Sequence, residues 1–181
     1  MSNDFKVNRL KEGHSMEKNI HYDAVKAIWK SVGKIARGVH EFTGIDFQED
    51  WDGKDFIVTV YDPDTQKQEE YTVDVKFRYT YYEDIMLCYK KTRGNKEKIG
   101  WAFNPEKQSD AILYIREKFN DAIWIWRKDL LDNRKKIMNE AKNKNLVKGN
   151  DDFGSYVQHN LIIRDEDLLD ICPNTLKVKY A

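Results

Sequence analysis

The spacing of apolar positions along this chain changes several times, and each change marks an element. From Glu17 to about Val39, the residues Ile20, Val25, Ile28, Trp29, Val32 and Ile35 recur at steps of three and four, as on a helix with one buried side. The pattern predicts a first helix over 17–39. Gly33 inside it marks a break or a close packing contact, since glycine costs a helix interior about 1 kcal/mol relative to alanine. The period then falls to two. TGIDFQEDW, DFIVTVYD and EEYTVDVKFR read as strands separated by the turn signals Asp52-Gly53 and Asp62-Pro63-Asp64, and such short connections lay strands antiparallel and adjacent. A fourth strand, EDIMLCYK, follows, and KKTRGNKEK reads as a charged loop leading to Ile99-Gly100-Trp101.

DAILYIRE and DAIWIWRKDLL, on either side of Phe119-Asn120-Asp121, are apolar without alternation and rich in β-branched and aromatic residues. That combination favours strands buried on both faces. DNRKKIMNEAKNKN reads as a polar amphipathic helix, and VQHNLIIRDEDLLDI as a strand running into a short helix opened by Asp165. No repeat or low-complexity linker interrupts the series. The expectation is one α/β domain over 17–181, preceded by a polar, aperiodic and flexible N-terminal arm over 1–16.

Composition narrows the function classes. At 181 residues the chain suits one domain with a sizeable core. Lys plus Arg and Asp plus Glu both number 31, so no global field recruits a polyanion, and a nucleic-acid partner would need a local basic patch. Cys88 and Cys172 have neither metal-ligand spacing nor the numbers for a disulfide framework, which predicts reduced thiols in a cytoplasmic protein. No run approaches the ~20 apolar residues of a membrane span, so no membrane partner is expected. Neither a glycine-rich phosphate loop nor a nucleophile elbow occurs.

The strand YTVDVKFR carries the candidate chemistry. Alternation puts Tyr71, Val73, Val75 and Phe77 in one row and Thr72, Asp74, Lys76 and Arg78 in the other. Asp74 and Lys76 can therefore reach one point. A carboxylate there can hold a hard divalent ion, while a lysine beside it positions a water and stabilises charge at phosphorus. Such doublets also occur constantly on solvated strand faces. Asp46 in TGIDF offers a second carboxylate, and Mg²⁺ is usually held by one or two of these.

The ordered series Gly44-Ile45-Asp46, Val73-Asp74-Val75-Lys76 with Phe77-Arg78, Asp84-Ile85-Met86-Leu87, Gly100-Trp101 and Asp110 to Ile115 resembles the PD-(D/E)XK, or restriction-endonuclease-like, nuclease superfamily, in particular its bacterial and phage members. The resemblance implies a restriction-endonuclease-like α/β fold, a central mixed β-sheet flanked by helices. It also implies metal-dependent hydrolysis of DNA in phage or mobile-element biology. Carried over, Asp46 and Asp74 would ligate Mg²⁺, or Mn²⁺ in its place, with the Val75 carbonyl, and Lys76 would orient the attacking water. Many members add an acid on the first helix, for which Glu17 and Asp23 are the candidates. The chain departs from the pattern at Ile45, where the family's proline would stand, and at Cys88, where relatives often have an acid. Members tolerate the first departure freely; Cys88, the neutral net charge and the unassigned first-helix acid keep a second expectation open: a catalytically inactive module of the same fold that inhibits or recruits a protein or nucleic-acid partner in host-defence conflict.

His40 and Glu41 precede Asp46 and are candidates for a supporting or proton-relaying position beside the site. Tyr79, Tyr81 and Tyr82, with Trp101, could stack on bases beside a basic strip of Arg78, Lys90, Lys91, Arg93, Lys96 and Lys98. The plainer reading has the tyrosines covering a sheet edge and the lysines solvating a loop. Trp124 and Trp126 share one side of their strand, as in a core or a homodimer interface. Arg134-Lys135-Lys136 with Lys142, Lys144 and Lys148 reads as a solvated helix face.

Overall fold

Gly33 ends the first helix. In the computed structural model, which describes residues 20–41, 54–78, 84–144, 147–152 and 157–180, helix α1 covers 20–31 of the described residues. At φ +75°, Gly33 adopts the left-handed conformation that few side chains tolerate. Its N–H donates to the Lys30 carbonyl at 3.1 Å and the Lys34 N–H to the Trp29 carbonyl at 2.9 Å, the paired bonds of a Schellman stop. The expected helix to Val39 is thus too long. Val32 and Ile35, which extend the helical pattern, are 40% and 51% exposed, and Ile35 already belongs to strand β1 (Ile35–Glu41).

Strands β2 (Phe56–Asp62) and β3 (Lys67–Arg78) form the predicted hairpin, with register from Asp62↔Lys67 to Phe56↔Val73. The Asp62 carboxylate accepts the backbone N–H groups of Asp64 at 3.0 Å and Thr65 at 3.3 Å, which sets the turn. The strand expected over TGIDFQEDW lies outside the described residues. β4 (Asp84–Arg93) continues past the predicted strand and turns at Gly94, φ +56°, into β5 (Lys96–Ile99). KKTRGNKEK is therefore a β-hairpin rather than a loop. Its charges hide the alternation, because both strands are exposed at the tip.

β6 (Ala111–Arg116) and β7 (Asp121–Trp126) are the two apolar strands, turning through Asn120 in left-handed conformation, φ +48°. The strand expected over DAIWIWRKDLL stops at Trp126. Arg127–Asp132 is helix α2, which buries Leu130 in the core. Helices α3 (Arg134–Asn143) and α4 (Asp165–Ile171), with strands β8 (Val147–Asp152), β9 (Val157–Arg164) and β10 (Leu176–Lys179), complete the described chain.

The fold is α/β with a mixed sheet and helices. Among the described residues, six strands run in the order β1-β2-β3-β6-β7-β10 and four more form a second sheet, β5-β4-β9-β8; within the larger of these sheets β3 and β6 pair in parallel and the other described neighbours antiparallel. One of its faces receives α1, where Val25, Ile28 and Trp29 meet Val58, Leu113 and Trp124. On the opposite face, Ile112, Tyr114, Ile123 and Ile125 meet the second sheet and helices α2 to α4 through Ile85, Leu130, Ile137, Leu161 and Leu168. β6 and β7 are thus covered on both sides, as their unbroken apolar runs require. Trp124 belongs to this core: its ring meets Trp29 edge-on at 5.2 Å, and Trp126 meets Tyr71 at 5.2 Å. No helix among the described residues is long and apolar enough to cross a membrane.

Candidate functional site

One cleft is lined by the residue just before β2, by β3, by the β4–β5 hairpin and by residues of the 101–107 segment. Asp74 lies near the start of the β3–β6 pairing, opposite Ile112, and is 2% exposed. A carboxylate so deeply set needs cations or hydrogen-bond donors. It has both. Lys76 Nζ donates to Asp74 Oδ1 and, at 3.0 Å, to the Val75 carbonyl. Arg127 Nη2 donates to Asp74 Oδ2 at 3.1 Å.

Arg127 opens α2 and is itself buried. Its Nε donates to the Ser109 hydroxyl at 2.9 Å and the Ser109 carbonyl at 3.1 Å, and its Nη1 donates to the Trp101 carbonyl at 2.9 Å. Burial pulls this guanidinium below its usual range, against the opposing pull of Asp74. Asp74 is therefore gripped from behind by an arginine fixed in place and from the front by a lysine at the edge of solvent.

Asp55 stands one step beyond the last hairpin pair, Phe56↔Val73, which puts it across from Asp74. Its N–H donates to the Val73 carbonyl at 2.8 Å, and its Oδ2 accepts the Val75 N–H at 2.5 Å. Asp55, Asp74, Lys76, Lys91, Lys98 and Trp101 all line a cleft of about 610 Å³, with the 104–107 turn forming another wall. Lys76 Nζ lies 5.4 Å from the centre of the Trp101 ring, within range of a cation–π attraction.

The structure brings together Asp74, Lys76, the Val75 backbone, Lys91 and Trp101. Asp46, Glu17 and Tyr79 to Tyr82 lie outside the described residues. Asp23 is exposed on α1 and His40 on β1, and neither lines the cleft. Glu41 ends β1 opposite Phe56, and Arg78 ends β3 opposite Arg116. Lys90 points away from the Lys91 face and pairs with Glu97 at 2.8 Å. Asp110 serves the sheet rather than the cleft, since its Oδ2 accepts from the Thr72 N–H and hydroxyl, both at 2.7 Å, and so locks the start of β6 to β3.

Sequence reading misses Asp55 and Arg127. Asp55 is within its reach: counting back from Asp62↔Lys67 lands Asp55 opposite Asp74, but the alternation pattern marks the residue only as the start of its strand. Arg127 gives no local signal, because its partner is 53 residues away.

The donor chemistry suits a hard divalent cation. Asp55 and Asp74 supply carboxylate oxygens and Val75 a carbonyl oxygen, the number and kind that Mg²⁺ takes while keeping several waters. No group of three or more His, Cys, Asp or Glu side chains gathers around one point among the described residues, so such an ion would rest on two carboxylates and the backbone. No family model, no curated protein and no solved structure matches the chain.

Proposed function

We propose that this protein is a divalent-metal-dependent nuclease of restriction-endonuclease-like fold, hydrolysing phosphodiester bonds in DNA of phage or mobile-element biology. The observation that carries the reading is the convergence of Asp55, Asp74 and Lys76 on one cleft wall, a D…D-x-K constellation built from adjacent strands. An antiparallel β1-β2-β3 run followed by a parallel β6, with a helix on either side, supports the fold expectation. The first acid of the constellation would then be Asp55, with Asp46 as the rival assignment.

Asp55, Asp74 and the Val75 carbonyl would hold Mg²⁺, or Mn²⁺ in its place. When bound, the ion would supply Lewis-acid charge at the scissile phosphate. Lys76, at the mouth of the cleft, would hold the attacking water in line and stabilise negative charge gathering on the phosphate oxygens. Arg127 keeps the Asp74 carboxylate from rotating.

The test is plasmid cleavage in Mg²⁺ by the wild type beside Asp46→Asn, Asp55→Asn, Asp74→Asn and Lys76→Ala. The expected outcome is a loss of about 100-fold or more for the last three and near-normal cutting by Asp46→Asn. Equal cutting by all five proteins would mean that the activity resides elsewhere.

A second reading has its own support. Both oxygens of Asp74 are engaged by cations of the chain itself, as a relic site in a binding module would be. Calorimetric titration with Mn²⁺ separates the two: binding abolished by Asp55→Asn and Asp74→Asn belongs to the nuclease, and no binding at all to the module.

A further inference from the structure

The β4–β5 hairpin sorts its charges by face. Its register pairs Lys90↔Ile99, Lys91↔Lys98, Thr92↔Glu97 and Arg93↔Lys96. Residues directly opposite in an antiparallel pair share a face, and the next pair falls on the other. One face therefore carries Lys91, Lys98, Arg93 and Lys96: four positions, four cations. The other carries Lys90, Thr92, Glu97 and Ile99, where Lys90 and Glu97 form an ion pair at 2.8 Å and Thr92 meets His159 at 3.1 Å.

Two cation pairs thus recur on one face, Lys91↔Lys98 and Arg93↔Lys96, with Thr92↔Glu97 between them on the other. The all-cation face reaches the cleft, where Lys91 and Lys98, joined by Ile99 at the end of β5, share the lining with Asp74 and Lys76, while Arg93 and Lys96 stand further out and exposed. Since the chain has no net charge, this concentration is local and directed.

From this we infer that the hairpin is a backbone clamp for a nucleic-acid strand, resting on the nuclease reading of the cleft. Lys91 and Lys98 take a phosphate next to the one at Asp74 and Lys76, and Arg93 and Lys96 take one further along. Successive pairs on one strand face are about 7 Å apart, a spacing that suits neighbouring phosphates of one strand, which the winding of the backbone separates by more than the ~3.4 Å axial rise of a duplex. Recognition is by charge and spacing, without base readout, so the clamp is indifferent to sequence. Lys90, although adjacent to Lys91 in the chain, takes no part.

The test measures binding of a labelled duplex by the full-length protein in EDTA, across a range of NaCl concentrations, so that cleavage plays no role. The variants are Lys91→Gln with Lys98→Gln, Arg93→Gln with Lys96→Gln, and Lys90→Gln as the face control. Each cation that meets a phosphate contributes about 0.9 to the slope of log K against log salt on duplex DNA. Either double variant should lower the slope by nearly 2 and Lys90→Gln should leave it unchanged. A loss with Lys90→Gln equal to that of a single clamp residue, or no loss with either double variant, overturns the clamp. Single-stranded DNA and RNA of the same sequence show which strand form it prefers, and wild-type protein that binds none of the three also overturns it. Slopes that fall as stated while no protein cuts in Mg²⁺ keep the clamp and sink the nuclease. Normal cutting with unchanged slopes does the reverse.

Discussion

Arg127 shows how little of a site one residue can explain by itself. Its side chain is 4% exposed and that of Asp74 3%, so removing the aspartate strands a buried guanidinium, whereas removing the arginine leaves Asp74 its bond from Lys76. Asp74→Leu should therefore cost about 3–5 kcal/mol in urea denaturation. Adding Arg127→Met to it should recover part of that loss, since an apolar pair of similar volume avoids the stranded guanidinium; a double variant less stable than the single one would contradict this account of the pair. The thiols make a second prediction at this scale. Burial, with Asp129 adding to it, pushes Cys172 up to about 11, and Cys88 is buried as well. Neither should react with a thiol reagent at pH 8 until the protein is unfolded, which a colorimetric titration with and without denaturant will show. Both are legible in the chain as reduced cysteines. Alternation puts Asp74 and Lys76 on one face, and only their place in the ordered series of motifs marks them as a candidate site, whereas Arg127 depends on a long-range meeting that no local pattern announces.

Between elements, two joints set how the layers sit. Gly100, at the end of β5, has no room for a side chain: a Cβ there would collide with the Cys88 carbonyl and crowd its sulfur. Its N–H donates to the Tyr89 carbonyl at 2.9 Å, so the turn into Trp101 lies directly on β4. Gly100→Ala should destabilise by about 1–3 kcal/mol, and quenching of Trp101 fluorescence should change with it. The other joint is ionic. Arg116 donates to Asp121 at 2.7 Å and 2.6 Å and to Asp165 at 2.9 Å, and Lys177 also meets Asp165. This ties β6 and β7 to the start of α4 and to β10. Burial by itself would raise the Asp165 carboxyl, but hydrogen bonds from Lys177 and Arg116 and their charges outweigh it and hold it below the ordinary range. A lowered carboxylate contributes stability that is complete above its unfolded value, about 3.9, and is lost as pH falls through its folded value. Asp165→Asn should therefore melt below the wild type at pH 7, and the gap should close at acid pH, below about 3.9. A gap independent of pH would show that the carboxylate's charge is not what holds the joint.

For the molecule as a whole, the larger sheet is closed on both faces around β6 and β7, and the clamp hairpin projects from the smaller one. Hydrogen exchange should accordingly be slowest in Ala111–Arg116 and Asp121–Trp126 and fastest in the 93–98 tip; a protected tip would argue that the hairpin is covered by more than solvent. The chain announces this architecture unevenly. Long apolar runs such as AILYIR and DAIWIW give away their burial, because two covered faces leave no room for polar residues. The end of α1 is harder to place, because helical spacing runs on through Val32 and Ile35 after the backbone has already turned at Gly33. The β4–β5 hairpin escapes sequence reading because a strand pair exposed at its tip has no apolar row to display. The support behind Asp74 has an evolutionary consequence. A descendant of this chain that lost its chemistry would still need the aspartate to neutralise the arginine beneath it, so finding Asp74 in a related sequence testifies to the fold. The position freer to drift is Lys76, at the edge of solvent, since the Asp55 carboxylate also holds the Val75 N–H; if the cleft is the nuclease site proposed above, loss of Lys76 would mark a chain that no longer cuts.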